Sequence, residues 1–213
     1  MPEQVGLFCG TFNPIHLGHL LIAEFAREQF DLTKVIFVTS AHPPHRKAGL
    51  LPAKERHEMV EAAILGNPFF ESSSLELNRP GPSYTIDTAR EVQALYGEEA
   101  SINLIVGSDN LPTLSGWHEA DKLIRLVRFL VAPRLADGQS FDPGDAKDIK
   151  NNCPGLKGAD LDIIDFPAVS ISSSGIRRRL SQGFSVLYMV PAEVNEIILA
   201  KDYYQDWTED ASQ

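Results

Sequence analysis

The segment VGLFCGTFNPIHLGH, residues 5–19, has the pattern of a strand, a turn and the start of a helix. Residues 5–8 form a short apolar run of the kind found in buried parallel strands. Gly10 and Pro14 then mark a tight turn. Apolar residues recur at helical spacing over residues 17–26, which indicates an amphipathic helix. The segment therefore predicts a β-strand that leads through a turn into an α-helix.

The same alternation of apolar runs and helical patterns continues along the chain. Further strands are predicted at residues 35–39, 101–106, 128–132 and 161–165, and helices at residues 53–65, 85–96 with Thr85 as N-cap, and 176–180. Because strands separated by helices form right-handed βαβ units, we expect an α/β fold with a Rossmann-like, doubly wound parallel sheet and helices on both faces. We expect a single domain with a loop excursion at about 133–160 and a C-terminal helical segment at about 190–204.

The composition favours a globular protein that does not bind nucleic acid. The chain has 213 residues, of which 19 are Lys or Arg and 29 are Asp or Glu, so its net charge is −10. This acidic balance argues against nucleic acid as a partner. Cys9 and Cys153 are too few for a disulfide framework or a four-thiolate zinc site, so a reducing compartment is expected. With neither a secretory signal nor an apolar run of about 20 residues, we expect a cytoplasmic protein without membrane association.

In a doubly wound sheet, ligands bind beyond the carboxyl ends of the strands, where the first turn of this chain lies. Neither GxGxxG nor GxxxxGK[ST] is present, which argues against a dinucleotide-binding dehydrogenase and a P-loop NTPase. Instead, His16 and His19 flank Gly18 at the start of the first helix. Free N–H groups, the helix dipole and two imidazoles favour an anion such as phosphate there. The alternative is a local capping role.

A second candidate anion site is the serine run in ISSSGIR, residues 171–177. Ser172 and Ser173 place hydroxyl groups at a predicted helix start, and Arg177 lies one turn into that helix. The alternative is a solvated N-cap that precedes a basic surface, to which Arg178 and Arg179 belong. Two such sites in one acidic chain favour a polyphosphate, which needs donors from more than one element.

Several segments together resemble the bacterial nicotinate-nucleotide adenylyltransferase family, in the nucleotidyltransferase superfamily with T/HxGH and ISSxxIR motifs. The resemblance covers residues 5–204, and it is carried by GTFNPIHLGHL, HPPHR, KERHEMVEAAI, PSYTIDT, GSDNLPTLSGWH, ISSSGIR and VPAEVNEIILAKDYY. It implies that the 5′-phosphate of nicotinate mononucleotide attacks the α-phosphorus of ATP, without a covalent intermediate. The products are nicotinate adenine dinucleotide and pyrophosphate. The implied partners are these two small molecules, with Mg²⁺ carried by ATP, no tightly bound cofactor and no protein metal site.

The resemblance also implies roles for individual residues, on each side of the reaction. It implies catalytic roles on the phosphates for His16, His19 and Arg177. Residues expected to bind ATP are Gly10, Thr11, Phe12, Gly18, Gly107, Asp109, Ser172, Ser173 and Ile176. Residues expected to bind the mononucleotide are His45, Arg46, Tyr84, Thr85, Trp117, His118 and Arg134. Among these, Trp117 is expected to stack on the nicotinate ring, with core packing as the alternative; for Arg46 the alternative is a solvated loop residue.

Three positions depart from the family pattern: Cys9 replaces the usual Gly, Asn13 the usual Asp, and Ser174 the usual Thr. Asn13 keeps an acceptor but removes a negative charge beside the phosphates. Two other functions stay open, namely another adenylyl- or cytidylyltransferase of the superfamily and a nucleotide-sensing protein that has lost catalysis. Residue types alone do not distinguish nicotinate from nicotinamide mononucleotide, and they do not define an oligomeric state.

Overall fold

The protein is described by a computed structural model that covers residues 2–43, 49–133, 158–167 and 169–208. Within these residues, six parallel strands form one sheet in the order β3-β2-β1-β4-β5-β6. The strands are β1 (Gln4–Gly10), β2 (Lys34–Thr39), β3 (Phe70–Ser73), β4 (Ser101–Gly107), β5 (Arg128–Ala132) and β6 (Leu161–Ile163). The Rossmann-like α/β fold predicted from the alternating pattern is therefore confirmed.

Helices cover both faces of this sheet. They are α1 (Leu17–Gln29), α2 (Ala53–Ile64), α3 (Leu75–Asn78), α4 (Thr85–Tyr96), α5 (Ala120–Leu126), α6 (Ser173–Ser181) and α7 (Ala192–Ala200), with a 3₁₀ segment at Ser108–Gly116. Buried residues of α1, α2, α6 and α7 form one core with Phe8 of β1. Residues of α4 and α5 form a second core with Leu7 of β1. Successive residues of β1 thus face opposite cores, as the two-residue period of a strand requires.

The sheet order reverses beside β1, which positions the ligand site. β1 pairs with β2 on one side, where Gly10 lies opposite Thr39, and with β4 on the other, where Leu7 lies opposite Leu104. The chain leaves β1 and β4 at the same edge of the sheet. This is the topological switch point at which doubly wound folds bind ligands.

The structure corrects several predicted boundaries. Thr85 is the first residue of α4, and Tyr84 is its N-cap residue. The last strand, predicted at residues 161–165, is confined to Leu161–Ile163, and the C-terminal helix, predicted at residues 190–204, is confined to Ala192–Ala200. The helix predicted at residues 176–180 begins earlier, at Ser173.

Four short elements had no clear sequence pattern: β3, α3, the 3₁₀ segment and α5. Most of the loop excursion predicted at 133–160 lies outside the described residues. No helix in the part of the chain that the structure describes is both long and apolar enough to span a membrane.

Truncation of a core leucine is expected to destabilise the protein far more than truncation of a surface leucine. Leu104, in the central strand β4, is 0% exposed, whereas Leu95, on α4, is 70% exposed. Leu104→Ala leaves a cavity and is expected to lower the free energy of unfolding by about 2–5 kcal/mol. Leu95→Ala is expected to change it by about 0.5 kcal/mol or less. Urea denaturation of both variants measures the difference, and equal losses would contradict this description of the core.

Candidate active site

A cavity of about 550 Å³ opens at the carboxyl ends of β1 and β4. This volume lies in the range of small-molecule sites. Its wall includes residues from the turn after β1, the start of α4, the 3₁₀ segment and the start of α6. The turn that carries the histidines and the turn that carries the serines and Arg177 therefore share one cleft.

The histidine turn places one imidazole on the cavity wall and the other behind it. His19 lines the cavity, while His16 is 2% exposed and its ring stacks on that of His19 with centroids 3.7 Å apart. A Cβ on Gly18 would lie 3.0 Å from Nδ1 of His16, so glycine leaves room for this ring. The backbone N–H of His16 donates to Nδ1 of His19 at 3.2 Å. Because Nδ1 accepts this hydrogen bond, the proton of a neutral His19 lies on Nε2.

The start of α1 has fewer N–H groups available to a ligand than the sequence suggested. The backbone N–H of Leu17 donates to the carbonyl oxygen of Met189 at 3.0 Å. One first-turn donor is therefore used within the protein, and the segment before α7 is attached to the histidine turn.

The serine turn contacts the histidine turn directly. Ser172 caps α6, because its Oγ accepts from the N–H of Gly175 at 3.1 Å. The Ser173 hydroxyl donates to the carbonyl oxygen of Pro14 at 2.9 Å, and Nη1 of Arg177 donates to that of Asn13 at 2.7 Å. These two bonds fix the relative position of both turns.

Arg56, which the sequence analysis did not single out, is a buried organiser of the same site. It is 1% exposed, and its guanidinium donates to three carbonyl oxygens: Thr11 after β1, Ser40 after β2 at 2.8 Å, and Leu51 before α2 at 2.8 Å. Burial lowers its pKa from 12.5 to about 10, so Arg56 is charged at neutral pH. In the sequence, Arg56 looks like any arginine on the exposed face of an amphipathic helix. Its partners are backbone carbonyl oxygens, which no residue type identifies.

The opposite wall of the cavity carries aromatic rings. The rings of Tyr84 and His118 stack with centroids 4.2 Å apart, which joins the start of α4 to the end of the 3₁₀ segment. Ser83 exchanges hydrogen bonds with the backbone of His42, at 3.0 and 3.1 Å. Trp117 is half-buried: it lines the cavity and also packs against the second core, so both roles considered for it are compatible with its position. Thr85 lines the same wall at the first residue of α4.

Beneath this wall, a buried polar network supports α4. The Thr88 hydroxyl donates to Oε1 of Glu76 at 2.6 Å and accepts from Nη2 of Arg79 at 2.8 Å. Nη1 of Arg79 also donates to Glu91 at 2.7 Å. Glu76 and Thr88 are 2% and 0% exposed. The network therefore connects α3 to the first two turns of α4. No sequence motif marks any of these residues as part of a buried network.

The cavity wall includes most of the expected site residues in the described ranges. Those that line it are His19, Arg177, Gly10, Thr11, Phe12, Gly107, Asp109, Ser172, Ser173, Tyr84, Thr85, Trp117 and His118. His16, Gly18 and Ile176 are not among the residues that line it. The side chain of Ile176 is 0% exposed and packs in the first core. His45, Arg46 and Arg134 lie outside the described residues.

Two further features bear on the chemistry of the cavity. Burial raises the pKa of the Cys9 thiol well above its usual value, so the thiol is protonated and is a poor nucleophile. Across residues 2–43, 49–133, 158–167 and 169–208, no three His, Cys, Asp or Glu side chains form a group that could hold a metal ion.

Comparison with known proteins agrees with the fold and identifies the family. Residues 7–179 match the cytidylyltransferase-like family, so the chain belongs to this class of nucleotidyltransferase. A protein of Thermoanaerobacter sp. (strain X514), named as a probable nicotinate-nucleotide adenylyltransferase, is 37% identical over 95% of this chain and 94% of its own length. A Moorella thermoacetica protein of the same name is 37% identical over 96% and 93%. The chain therefore belongs to the nicotinate-nucleotide adenylyltransferase family.

Solved structures support the same architecture. A Plasmodium falciparum nicotinic acid mononucleotide adenylyltransferase complexed with NaAD superposes with a TM-score of 0.77, at 18% identity over 97% of this chain and all of that one. The same enzyme complexed with APC gives a TM-score of 0.74. At this identity the likeness establishes the shared fold.

Replacement of Arg56 by lysine is expected to destabilise the protein although it keeps the charge. A lysine ammonium lacks the planar fork that reaches three carbonyl oxygens, so buried acceptors would lose their partners. We expect Arg56→Lys to lower the free energy of unfolding by about 2 kcal/mol or more. The matched control is Arg90→Lys on α4, whose side chain is 44% exposed and pairs with Asp87 and Glu119. Its expected effect is below about 1 kcal/mol, and similar urea midpoints for both variants would contradict the role of Arg56.

Proposed function

We propose that this protein transfers the AMP group of ATP to nicotinate mononucleotide, giving nicotinate adenine dinucleotide and pyrophosphate in NAD biosynthesis. The observation that carries the proposal is the direct contact of the two phosphate-binding turns, through Ser173 and Pro14 and through Arg177 and Asn13, at one cavity. Relatives named for this reaction align with nearly the whole chain, which supports the same choice of substrates. A cytoplasmic location goes with this proposal, because ATP is supplied there.

The proposed reaction is a single in-line displacement. A 5′-phosphate oxygen of the mononucleotide forms a bond to the α-phosphorus of ATP, and the bond from that phosphorus to the bridging oxygen breaks, so pyrophosphate leaves. Such a transfer depends on positioning and on neutralisation of charge rather than on a protein nucleophile. The protonated thiol of Cys9 is consistent with a reaction that needs no covalent intermediate.

His19 and Arg177 are the proposed donors to the phosphates. Both line the cavity, and His19 carries the proton of its neutral ring on Nε2 because Nδ1 accepts from His16. These donors would stabilise the negative charge that grows on the bridging oxygen as pyrophosphate leaves. For His16, which lies behind His19, we propose that it acts by holding the His19 ring in place.

The aromatic wall is the proposed site of the mononucleotide. Trp117 offers a flat apolar surface for the nicotinate ring, while Tyr84 and His118 hold each other in a stack beside it. The first turn of α4, which begins at Thr85, offers backbone N–H groups to the carboxylate of nicotinate. For Gly107, the last residue of β4, and Asp109, which lies two residues beyond it, we propose contacts with ribose hydroxyls.

The residues of the cavity fit a magnesium ion that arrives with ATP. Among the described residues that line the cavity, Asp109 is the one carboxylate. Mg²⁺ is commonly held by substrate phosphates, water and one or two carboxylates, which such a lining allows. When bound, the ion would neutralise charge on the phosphates, whose oxygens and water would hold it, while Asp109 is the residue proposed for the ribose.

The substrate test is pyrophosphate release with ATP, Mg²⁺ and each of three acceptors. We expect release with nicotinate mononucleotide and little or none with nicotinamide mononucleotide or phosphopantetheine, because backbone donors at α4 recognise a carboxylate. Release only with phosphopantetheine would identify a different transferase of the superfamily. Binding of ATP without turnover on any acceptor would indicate a nucleotide sensor.

Removal of the His19 imidazole is expected to reduce kcat by about a hundredfold or more, the typical loss when one donor to a developing oxyanion is deleted. The matched control is Glu28→Ala, an exposed position on the same helix, for which kcat is expected to stay within about twofold. Steady-state kinetics with ATP and nicotinate mononucleotide, together with a far-UV spectrum, separates lost catalysis from lost folding. Near-normal turnover of His19→Ala would remove this residue from the mechanism.

Metal content provides an independent test. After gel filtration in the absence of nucleotide, we expect much less than one metal ion per chain, because the ion is held mainly by the phosphates of ATP. Plasma mass spectrometry of the eluted protein measures this content. Retention of about one Mg²⁺ or transition metal ion per chain would contradict the proposed way of metal binding.

A further inference from the structure

The side chain of Asn13 joins three distant parts of the chain next to the phosphate-binding turns. Its Oδ1 accepts from the backbone N–H of Leu51 at 3.3 Å and from the hydroxyl of Tyr204 at 2.9 Å. Its Nδ2 donates to the carbonyl oxygen of Gly49 at 3.1 Å. These partners define the orientation of the amide, because an N–H and a hydroxyl need an acceptor and a carbonyl needs a donor. Asn13 is 5% exposed, so the three bonds are shielded from water.

Tyr204 belongs to a segment after α7, residues 201–208, which we call the tail segment. Tyr204 is 6% exposed, and burial raises the pKa of its hydroxyl far above its usual value of 10. The hydroxyl is therefore protonated throughout the physiological range and acts as a donor to Asn13. Lys201 anchors the same segment to α2 through a 2.6 Å ion pair with Glu58.

Trp207, further along the tail segment, contacts both Gly49 and Arg177. A Cβ built on Gly49 would lie 2.5 Å from Cδ1 of Trp207, so only glycine permits this approach. The ring centroid of Trp207 is 4.9 Å from Cζ of Arg177, within the range of a cation–π interaction. The guanidinium of Arg177 is thus held by the carbonyl oxygen of Asn13 and by the ring of Trp207.

We propose that Tyr204 and Trp207 are positioning residues for the triphosphate side of the site. They act through Asn13 and Arg177 and make no contact with substrate themselves. This inference rests on the proposed function and adds to it that the tail segment, far from both phosphate motifs in the sequence, sets the affinity for ATP. The mononucleotide side is on the opposite wall, so its affinity is expected to be independent of the tail segment.

The structure also gives a reason for asparagine where the family usually has aspartate. A carboxylate at position 13 would accept from Leu51 and Tyr204, but it has no proton for the carbonyl oxygen of Gly49 and would repel it. In this chain, the amide of Asn13 therefore supplies the hydrogen bond that holds Gly49 in its position against Trp207. Asn13→Asp is expected to loosen the connection between the tail segment and the site.

The test compares two adjacent tyrosines. Tyr204→Phe removes only the hydroxyl that binds Asn13. We expect the KM for ATP to rise about fivefold to tenfold, which is the scale of one buried hydrogen bond. The KM for nicotinate mononucleotide is expected to stay within about twofold. The matched control is Tyr203→Phe, a half-buried neighbour in the same segment, for which both KM values should stay within about twofold. Melting temperatures of both variants are recorded under the same conditions.

A second pair of variants tests Trp207. Trp207→Leu is expected to weaken binding of α,β-methylene-ATP, an analogue that cannot release pyrophosphate, by about fivefold in calorimetric titration. Trp207→Phe restores an aromatic face over Arg177 and is expected to recover most of that loss. If both variants lose the same affinity, Trp207 acts only by filling space, and the proposal is contradicted.

The outcomes separate the inference from the proposed function. If the unmodified protein does not transfer AMP to nicotinate mononucleotide, the proposed function fails, while titration with the analogue still measures the effect of Tyr204 and Trp207 on the triphosphate site. If it does transfer AMP and Tyr204→Phe has unchanged ATP parameters, the inference is wrong. It is also wrong if both KM values of Tyr204→Phe rise together, in proportion to a lower melting temperature, or if Tyr203→Phe has the same effect.

Discussion

One hydrogen bond, from Arg177 to the carbonyl oxygen of Asn13, connects the serine turn to the histidine turn across 164 residues of sequence. The sheet makes this contact possible, because the reversal of strand order beside β1 leaves a cleft at the carboxyl edge. The bond then fixes the start of α6 against the turn after β1, with Ser173 and Pro14 as a second point of contact. For the ATP that we propose as substrate, the donors of both turns are already in place, so little conformational freedom would be lost on binding.

Backbone carbonyl oxygens are a recurring partner for arginine in this site. Arg56 bonds three of them and, among the described residues, has no carboxylate within ion-pair distance. A guanidinium satisfied by neutral dipoles keeps its full charge, whereas a carboxylate partner would cancel it. In a chain with a net charge of −10, Arg56 thus places a positive charge beside the turn after β1.

The sequence was informative where a residue type or a period determines the structure. Apolar runs predicted β1, β2, β4 and β5, because strands buried on both faces consist of such residues. The polar strand β3 and the short helix α3 have neither signal and went undetected. The histidine turn and the serine turn were singled out by their residue types, and the structure places both at one cavity. The bonds of Asn13 and Arg56 to backbone groups were not, because every residue has a backbone and only the fold decides which carbonyl oxygen or N–H lies within reach.

The contact between Tyr204 and Asn13 has a consequence for protein synthesis on the ribosome. The last strand of the sheet ends at residue 163, so all six strands have left the exit tunnel well before residues 204–207 emerge. A nascent chain thus contains the complete sheet and both phosphate motifs while the partner of Asn13 is still inside the tunnel. The hydrogen bond between Tyr204 and Asn13 therefore forms only after residue 204 has left the tunnel.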